Sequence, residues 1–128
     1  MPYIIGVAEK RFEYLKIYGD DYPTKDGTGI RDYIHVMDLV NAHFEALKQD
    51  NPGCQIFNIG CGQGFSVLEI IKTFENTHNI NIPFVYCEKR NGDVASCYAD
   101  VNKASSKLKW EAKFNLVDMC EDSWIKEN

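Results

Sequence analysis

The apolar residues of this chain recur in two rhythms, and the rhythm changes at clusters of Gly, Pro, Asn and Asp. Between residues 2 and 13, Ile4, Ile5, Ala8, Phe12 and then Leu15 fall at mixed three- and four-residue steps, which predicts a helix. Leu15-Lys16-Ile17-Tyr18 alternates and stops at Gly19, which predicts a short strand. The run from Asp20 to Gly29 is dense in turn formers and reads as a loop, followed by a β-type segment from Ile30 to Val36. Asp38 then opens a helix to about Gln49, with Leu39, Ala42, Phe44, Ala46 and Leu47 as its buried stripe and Asn51-Pro52-Gly53 as its stop. Gln55 to Ile59 carries the strongest strand signal and runs into Gly60-Cys61-Gly62-Gln63-Gly64. Ser66 with Glu69 three residues later forms a capping box for a helix to about His78. Pro83 to Cys87 predicts a further strand, and Lys89 to Asp93 a charged turn. Asp100 or Asn102 caps a short helix to Leu108, and Asn115 caps a last one with Leu116, Met119, Cys120 and Trp124 on one side. Strands alternating with helices give an α/β class, read as one domain without repeat or linker.

Composition narrows the function classes. With 45% hydrophobic residues in 128, the chain has enough apolar surface for a core of its own. No apolar run approaches a membrane span, and no basic region precedes the short apolar stretch at the N-terminus, so the cytoplasm is the expected location. A net charge of −5 argues against a duplex nucleic acid as partner. The five cysteines form no Cys-x-x-Cys pair and read as reduced thiols.

Three groups of residues carry chemistry, each open to a plainer interpretation. Gly60 to Gly64 can present backbone amides to an anion, like the first motif of an S-adenosylmethionine-dependent methyltransferase with Glu88 as ribose partner; it can equally be a tight turn. Arg31 and Arg90 are two of only three arginines, each beside a Gly and an Asp. Two guanidiniums suit a diphosphate and Asp93 suits sugar hydroxyls, but surface ion pairs Arg31–Asp32 and Arg90–Asp93 would use the same residues. His35, Asp38 and His43 are poorly spaced for a metal, and local hydrogen bonding is expected of His35. No serine lies in a Gly-x-Ser-x-Gly turn.

Taken together, the run Ile17-Tyr18-Gly19-Asp20-Asp21-Tyr22-Pro23-Thr24-Lys25-Asp26-Gly27-Thr28-Gly29-Ile30-Arg31-Asp32-Tyr33-Ile34-His35-Val36-Met37-Asp38-Leu39 resembles the C-terminal half of the UDP-galactose 4-epimerases. The likeness continues through Phe57-Asn58-Ile59-Gly60, Gly62, Gly64 and Ser66-Val67-Leu68, then through Arg90, Gly92-Asp93 and Cys97-Tyr98-Ala99-Asp100, and covers essentially the whole chain. It implies the small UDP-sugar-binding domain of an extended short-chain dehydrogenase/reductase, residues 1–128, without the NAD-binding Rossmann domain. In that family NAD takes a hydride from C4 of the sugar and returns it to the other face.

The resemblance assigns roles residue by residue. Arg31 and Arg90 match the arginines that hold the UDP diphosphate, and Asp93 the carboxylate on the uridine ribose. Lys16 and Tyr18 fall where a strand backbone meets uracil with an aromatic ring beside it. Tyr33 and Val67 fall in the pocket wall, and Cys97 in the wall facing the sugar. A small side chain at Cys97 implies room for UDP-N-acetylhexosamines as well as UDP-glucose and UDP-galactose. Two family features are missing: the glycine fingerprint for NAD, and the catalytic Tyr-x-x-x-Lys, since no Lys lies four residues after any of the seven tyrosines. The expectation is therefore a C-terminal portion that binds no NAD and lacks turnover alone. Its segment from Val36 to about Ile59 would pack on the Rossmann half, or be covered by self-association. A free-standing UDP-sugar-binding or regulatory module is a second expectation, and a methyltransferase fragment a third.

Overall fold

The computed structural model describes residues 1–50 and 53–124. Helix α1 is Pro2–Ala8, followed by strand β1, Leu15–Tyr18. Then come β2, Ile30–Arg31, helix α2, Val36–Leu47, β3, Phe65–Ser66, and helix α3, Val67–His78. Strands β4, Phe84–Cys87, and β5, Ser96–Cys97, precede helices α4, Asn102–Leu108, and α5, Leu116–Ser123. The class is α/β, as the alternation predicts.

Two small sheets organise the molecule. β1 runs parallel to β4, with Leu15 opposite Phe84 and Tyr18 opposite Cys87. β2 is central in the other, antiparallel to β3 and parallel to β5, with Arg31 opposite Phe65 on one side and Cys97 on the other. Alternation along β1 sends Leu15 and Ile17 into the core and leaves Lys16 and Tyr18 on the open face. The main core joins Ile4 and Val7 of α1, Ile17, Ile70, Ile71 and Phe74 of α3, and Leu116, Met119 and Cys120 of α5. A smaller cluster of Ala42, Ala104, Leu108 and Trp110 lies between α2 and α4.

Helix α3 forms as its sequence dictates. Ser66 accepts from the Glu69 N–H at 3.0 Å, and the Glu69 carboxylate accepts from the Ser66 N–H at 2.8 Å. Asn115 caps α5, accepting from Val117 at 2.7 Å and Asp118 at 3.2 Å. Asp100 accepts from the Asn102 N–H at 3.0 Å at the start of α4.

Five expectations are corrected. The first helix ends at Ala8, not residue 13. Arg11 and Phe12 both donate back to the Gly6 carbonyl, Lys10 turns through φ 59°, and the Phe12 ring lies where a Gly6 Cβ would sit. The β-type segment is only Ile30–Arg31, because α2 starts early, at Val36. His35, not Asp38, caps α2: its Nδ1 accepts from the Met37 N–H at 3.1 Å. Asp38 is instead buried inside the first turn, accepting from the Lys113 and Phe114 N–H groups at 3.0 Å each.

The apolar stripe of α2 is the fourth correction. Ala42 is buried and Leu39 half-buried, but Phe44, Ala46 and Leu47 are exposed, Leu47 at 83%. Fifth, Gln55 to Ile59 is no strand: no described strand pairs with it, Ile56 is 75% exposed, and its carbonyl accepts from Lys103 Nζ. A β-prone run needs a ladder partner, and periodicity alone does not supply one. The expected stop at Asn51-Pro52 lies outside the described residues.

Candidate functional site

Asp93 is the residue that joins the two arginines. Its Oδ2 accepts from Arg90 Nε at 2.8 Å, and its Oδ1 lies 3.9 Å from Arg31 Nη2. Arg31 comes from β2 and Arg90 from the turn after β4, so two separate sheets meet at one carboxylate. Arg31 is steadied further by Nη1 donating to the Ile30 carbonyl at 2.7 Å. Arg90 lies over the Tyr18 ring at 5.0 Å. Two guanidiniums against one carboxylate leave a local positive charge on a chain whose net charge is −5. That is the arrangement an anionic ligand requires.

Around these residues is an open cleft of ≈ 230 Å³. Lys16, Tyr18, Arg31, Tyr33, Val67, Arg90 and Asp93 all line it. Cys97 does not line it; it is exposed on β5, beside Arg31 in register. Four lining residues were missed by the sequence reading: Tyr3, Ile17, Tyr22 and Gly29. Tyr22 sits in the turn-rich run, where its aromatic ring was the available signal. It is buried against Gly19, under Lys89 Nζ at 4.5 Å, and its hydroxyl has no partner among the described residues.

Strand β1 gives the cleft a polar edge. Leu15 donates to Pro83 and Gly19 to Cys87, so those amides face β4. Backbone groups alternate along a strand, so the amide and carbonyl of Lys16 and Tyr18 point the other way, to an edge with no ladder partner among the described residues. Such an edge can hydrogen-bond a planar heterocycle.

Asp32 settles what the glycine-rich segment does. Its carboxylate accepts from Cys61 N–H at 2.8 Å, Gly62 N–H at 3.1 Å and Ala99 N–H at 3.1 Å. A Cβ at Gly60 would strike that carboxylate, and one at Gly64 the Ile30 side chain. The anion held by this turn is therefore the chain's own. The methyltransferase expectation loses its phosphate-like cradle, and the expected Arg31–Asp32 ion pair is replaced by Arg31–Asp93. The same observation bears on a dinucleotide: with these amides taken and no Gly-x-x-Gly-x-x-Gly, the described residues do not fit NAD.

The Asp32 turn also fixes protonation. Burial, then the Asp32 and Asp38 carboxylates, push the Cys61 thiol up to about 11. It stays protonated and donates to the Tyr33 carbonyl at 2.9 Å. Burial raises the Tyr33 hydroxyl above its ordinary value, so Tyr33 enters the cleft neutral. Beneath the cleft, Asp26 ties the loop to α3: its carboxylate accepts from Ser66 Oγ and from Thr28 N–H and Oγ1 at 2.9 and 2.7 Å. Burial pushes Asp26 up, but these bonds outweigh it and hold the carboxyl below its usual range.

His35 proves to be structural. With Nδ1 accepting from Met37, Nε2 carries the proton and donates to Asp122 at 3.1 Å, and the ring stacks on Phe114 at 4.2 Å. His43 bonds the Leu39 carbonyl at 2.7 Å. No group of three potential metal ligands occurs among the described residues. Nor, among them, is any helix long and apolar enough to cross a membrane.

A family model described as GDP-mannose 4,6 dehydratase matches residues 2–123. A UDP-glucose 4-epimerase of Bacillus subtilis (strain 168) is 48% identical over 126 residues, covering 97% of this chain and 37% of that protein. The crystal structure of a UDP-glucose-4-epimerase from Stenotrophomonas maltophila, with bound NAD and formylated UDP-arabinopyranose, matches with a TM-score of 0.92 at 46% identity. It covers 96% of this chain and 37% of that one. The UDP-glucose 4-epimerase from Bifidobacterium longum, in complex with NAD+ and UDP, gives 0.90 at 44% identity, over 95% of this chain and 37% of that one. This chain thus spans little more than a third of the length of these relatives.

Proposed function

This chain belongs to the family described as GDP-mannose 4,6 dehydratase, and on that premise we propose that residues 1–128 are the UDP-sugar-binding domain of a UDP-glucose/UDP-galactose 4-epimerase, its C-terminal portion. The observation that carries this reading is the Arg31–Asp93–Arg90 bridge in a cleft shared with the free edge of β1. Arg31 and Arg90 hold the diphosphate through their remaining guanidinium N–H groups. Asp93 keeps the two side chains together and accepts from ribose hydroxyls. The Lys16 and Tyr18 backbone takes the uracil edge, with the Tyr18 ring beside the base.

The chemistry at sugar C4 is not assigned to this chain. It has no Tyr-x-x-x-Lys to move the proton and no fit for NAD, so the proposal gives it binding without turnover. The remainder of the enzyme, or self-association, covers the apolar face of α2. Cys97 borders the sugar, and its small side chain leaves room for an N-acetyl group. In a complete enzyme, Cys97→Tyr selectively reduces activity on UDP-N-acetylhexosamines; equal loss on both substrate types refutes that assignment.

Thermal unfolding with and without UDP-glucose tests the binding reading. Ligand at a hundred times its Kd adds about 2.7 kcal/mol of stability, a rise of several degrees in a domain of this size. Arg31→Ala or Arg90→Ala should abolish the rise. A cooperative melt of the wild type that UDP-glucose leaves unmoved overturns the reading.

A further inference from the structure

A second cavity of ≈ 380 Å³ adjoins the arginine cleft, sharing Tyr3, Lys16, Tyr18 and Arg90 with it and adding Phe12, Tyr14 and Leu15. Its walls are mostly aromatic. Lys16 and Tyr18 alternate along β1 and project to its open side, Leu15 and Ile17 are buried between them, and exposed Tyr14 immediately precedes the strand. Phe12 faces them from the end of the α1 turn. It is held by the missing side chain at Gly6, where any Cβ would come within 2.5 Å of the ring, and its centroid is 5.9 Å from that of Tyr3. Phe12, Tyr14 and Tyr18 are each 40–44% exposed, so ring surface is open to a ligand.

What the cavity lacks matters equally. Among the described residues, no Asn, Gln, Asp, Glu, Ser or Thr side chain lines it to add to the backbone edge of β1 in reading one base. The polar groups at hand are the Lys16 and Arg90 cations, the tyrosine hydroxyls and the free edge of β1. Stacking on aromatic rings is tolerant of base identity, because every base has a π-face. A volume larger than that of the arginine cleft leaves room for two fused rings as well as one.

We infer that Phe12 and Tyr14 extend the nucleotide cleft into a base-stacking subsite, so that this chain binds purine as well as pyrimidine nucleoside diphosphates. This rests on the nucleotide-binding reading above: the diphosphate clamp supplies the common anchor and the aromatic wall accepts the base.

The test is calorimetric titration of the 128-residue chain with UDP, ADP and GDP at one salt concentration. The expected result is a spread of Kd within about tenfold across the three. Phe12→Ala and Tyr14→Ala should then weaken ADP and GDP about tenfold and UDP less, since the larger rings reach further along the wall. Both residues are surface-exposed, and thermal melts confirm that the variants fold. UDP binding with ADP and GDP more than a hundredfold weaker overturns the inference and leaves the UDP-sugar reading standing. Purine binding that both variants leave unchanged removes Phe12 and Tyr14 from the site and also overturns it. No binding of any of the three overturns both readings.

Discussion

Helices α2 and α3 have the same length, twelve residues, and each begins with a side-chain cap, yet they are used in opposite ways. In α3 the apolar stripe, Ile70, Ile71 and Phe74, is at most 2% exposed. In α2, Val36, Met37, Val40, Phe44 and Leu47 are each more than half exposed, and only Ala42 and Asp38 are buried. Local signals suffice to make both helices. Burying the apolar face needs a partner surface, and the described chain provides one for α3, from α5 and β1, but not for the outer side of α2. The arginine cleft lies on the side whose helix is covered, while α2 leaves its apolar face exposed.

The comparison breaks most sharply at two phenylalanines. Phe74 is fully buried, against His78 at 4.5 Å and Trp124 at 5.8 Å between ring centroids. Phe74→Ala should cost about 3–5 kcal/mol, a large share of the ~5–15 kcal/mol that holds a domain together. Phe44→Ala, 58% exposed in the wild type, should stay within about 0.5 kcal/mol. Urea unfolding of the two variants side by side measures this. A large loss at Phe44 would mean that the α2 face is already covered in solution.

The exposed face of α2 also predicts association. An apolar stripe at Val36, Val40, Phe44 and Leu47 favours contact between copies when no other chain covers it. Sedimentation velocity should show concentration-dependent association of the wild type. Val40→Glu with Phe44→Glu should abolish it, adding charge to a chain already at −5, and leave the melt of the main core in place. A clean wild-type monomer at high concentration refutes the idea.

A third effect is confined to the α3 side. Ser66 accepts the Glu69 N–H and donates to Asp26, so it links the α3 cap to the loop carrying Thr28 and Gly29. Ser66→Ala should cost about 1–2 kcal/mol at neutral pH. The pH dependence follows from Asp26, whose folded pKa lies below its ordinary 3.8. A depressed carboxyl contributes stability that is full above that ordinary value and is lost as pH falls toward the folded one. The wild type should therefore lose stability in acid below about pH 4. Losing the Ser66 bond lets Asp26 return toward 3.8, so Ser66→Ala should flatten that acid loss. An unchanged acid profile in the variant removes Asp26 from this role.

The sequence was most legible where local chemistry decides structure. Ser66-x-x-Glu69, Asn115 and the alternation of Leu15 to Tyr18 each specify their element without reference to distant residues. It was least legible where a distant partner decides. Gln55 to Ile59 has strand composition but no partner in the described chain. Asp38 has the residue type of a cap, yet the N–H groups of Lys113 and Phe114, some 75 positions away, draw it inside. The cleft divides the same way. Seven of the eight residues expected from the resemblance line it, while Tyr3 and Tyr22 reach it only through the tertiary fold. Their side chains carry no pattern; the folding of α1 and the Asp20 to Gly29 loop brings them to β1. Asp32 beside Arg31 looked like an ion-pair partner, but its three backbone donors lie 29, 30 and 67 residues away.

The smallest expected effect lies at Tyr22. Its side chain is 8% exposed and its hydroxyl has no hydrogen-bond partner among the described residues. A buried hydroxyl that exchanges its water bonds for nothing carries a desolvation cost, whereas the ring it sits on contributes packing against Gly19 and a cation–π contact with Lys89. Tyr22→Phe keeps the ring and deletes the cost. The free chain should therefore be stabilised slightly, by about 0.5–1 kcal/mol, read as a small rise in the urea midpoint at an unchanged slope. A fall of similar size would mean that a buried water already satisfies the hydroxyl. Repeating the melt with UDP-glucose ties the result to the cleft that Tyr22 lines: if the phenol only packs, the ligand-induced rise is the same in Tyr22→Phe and wild type.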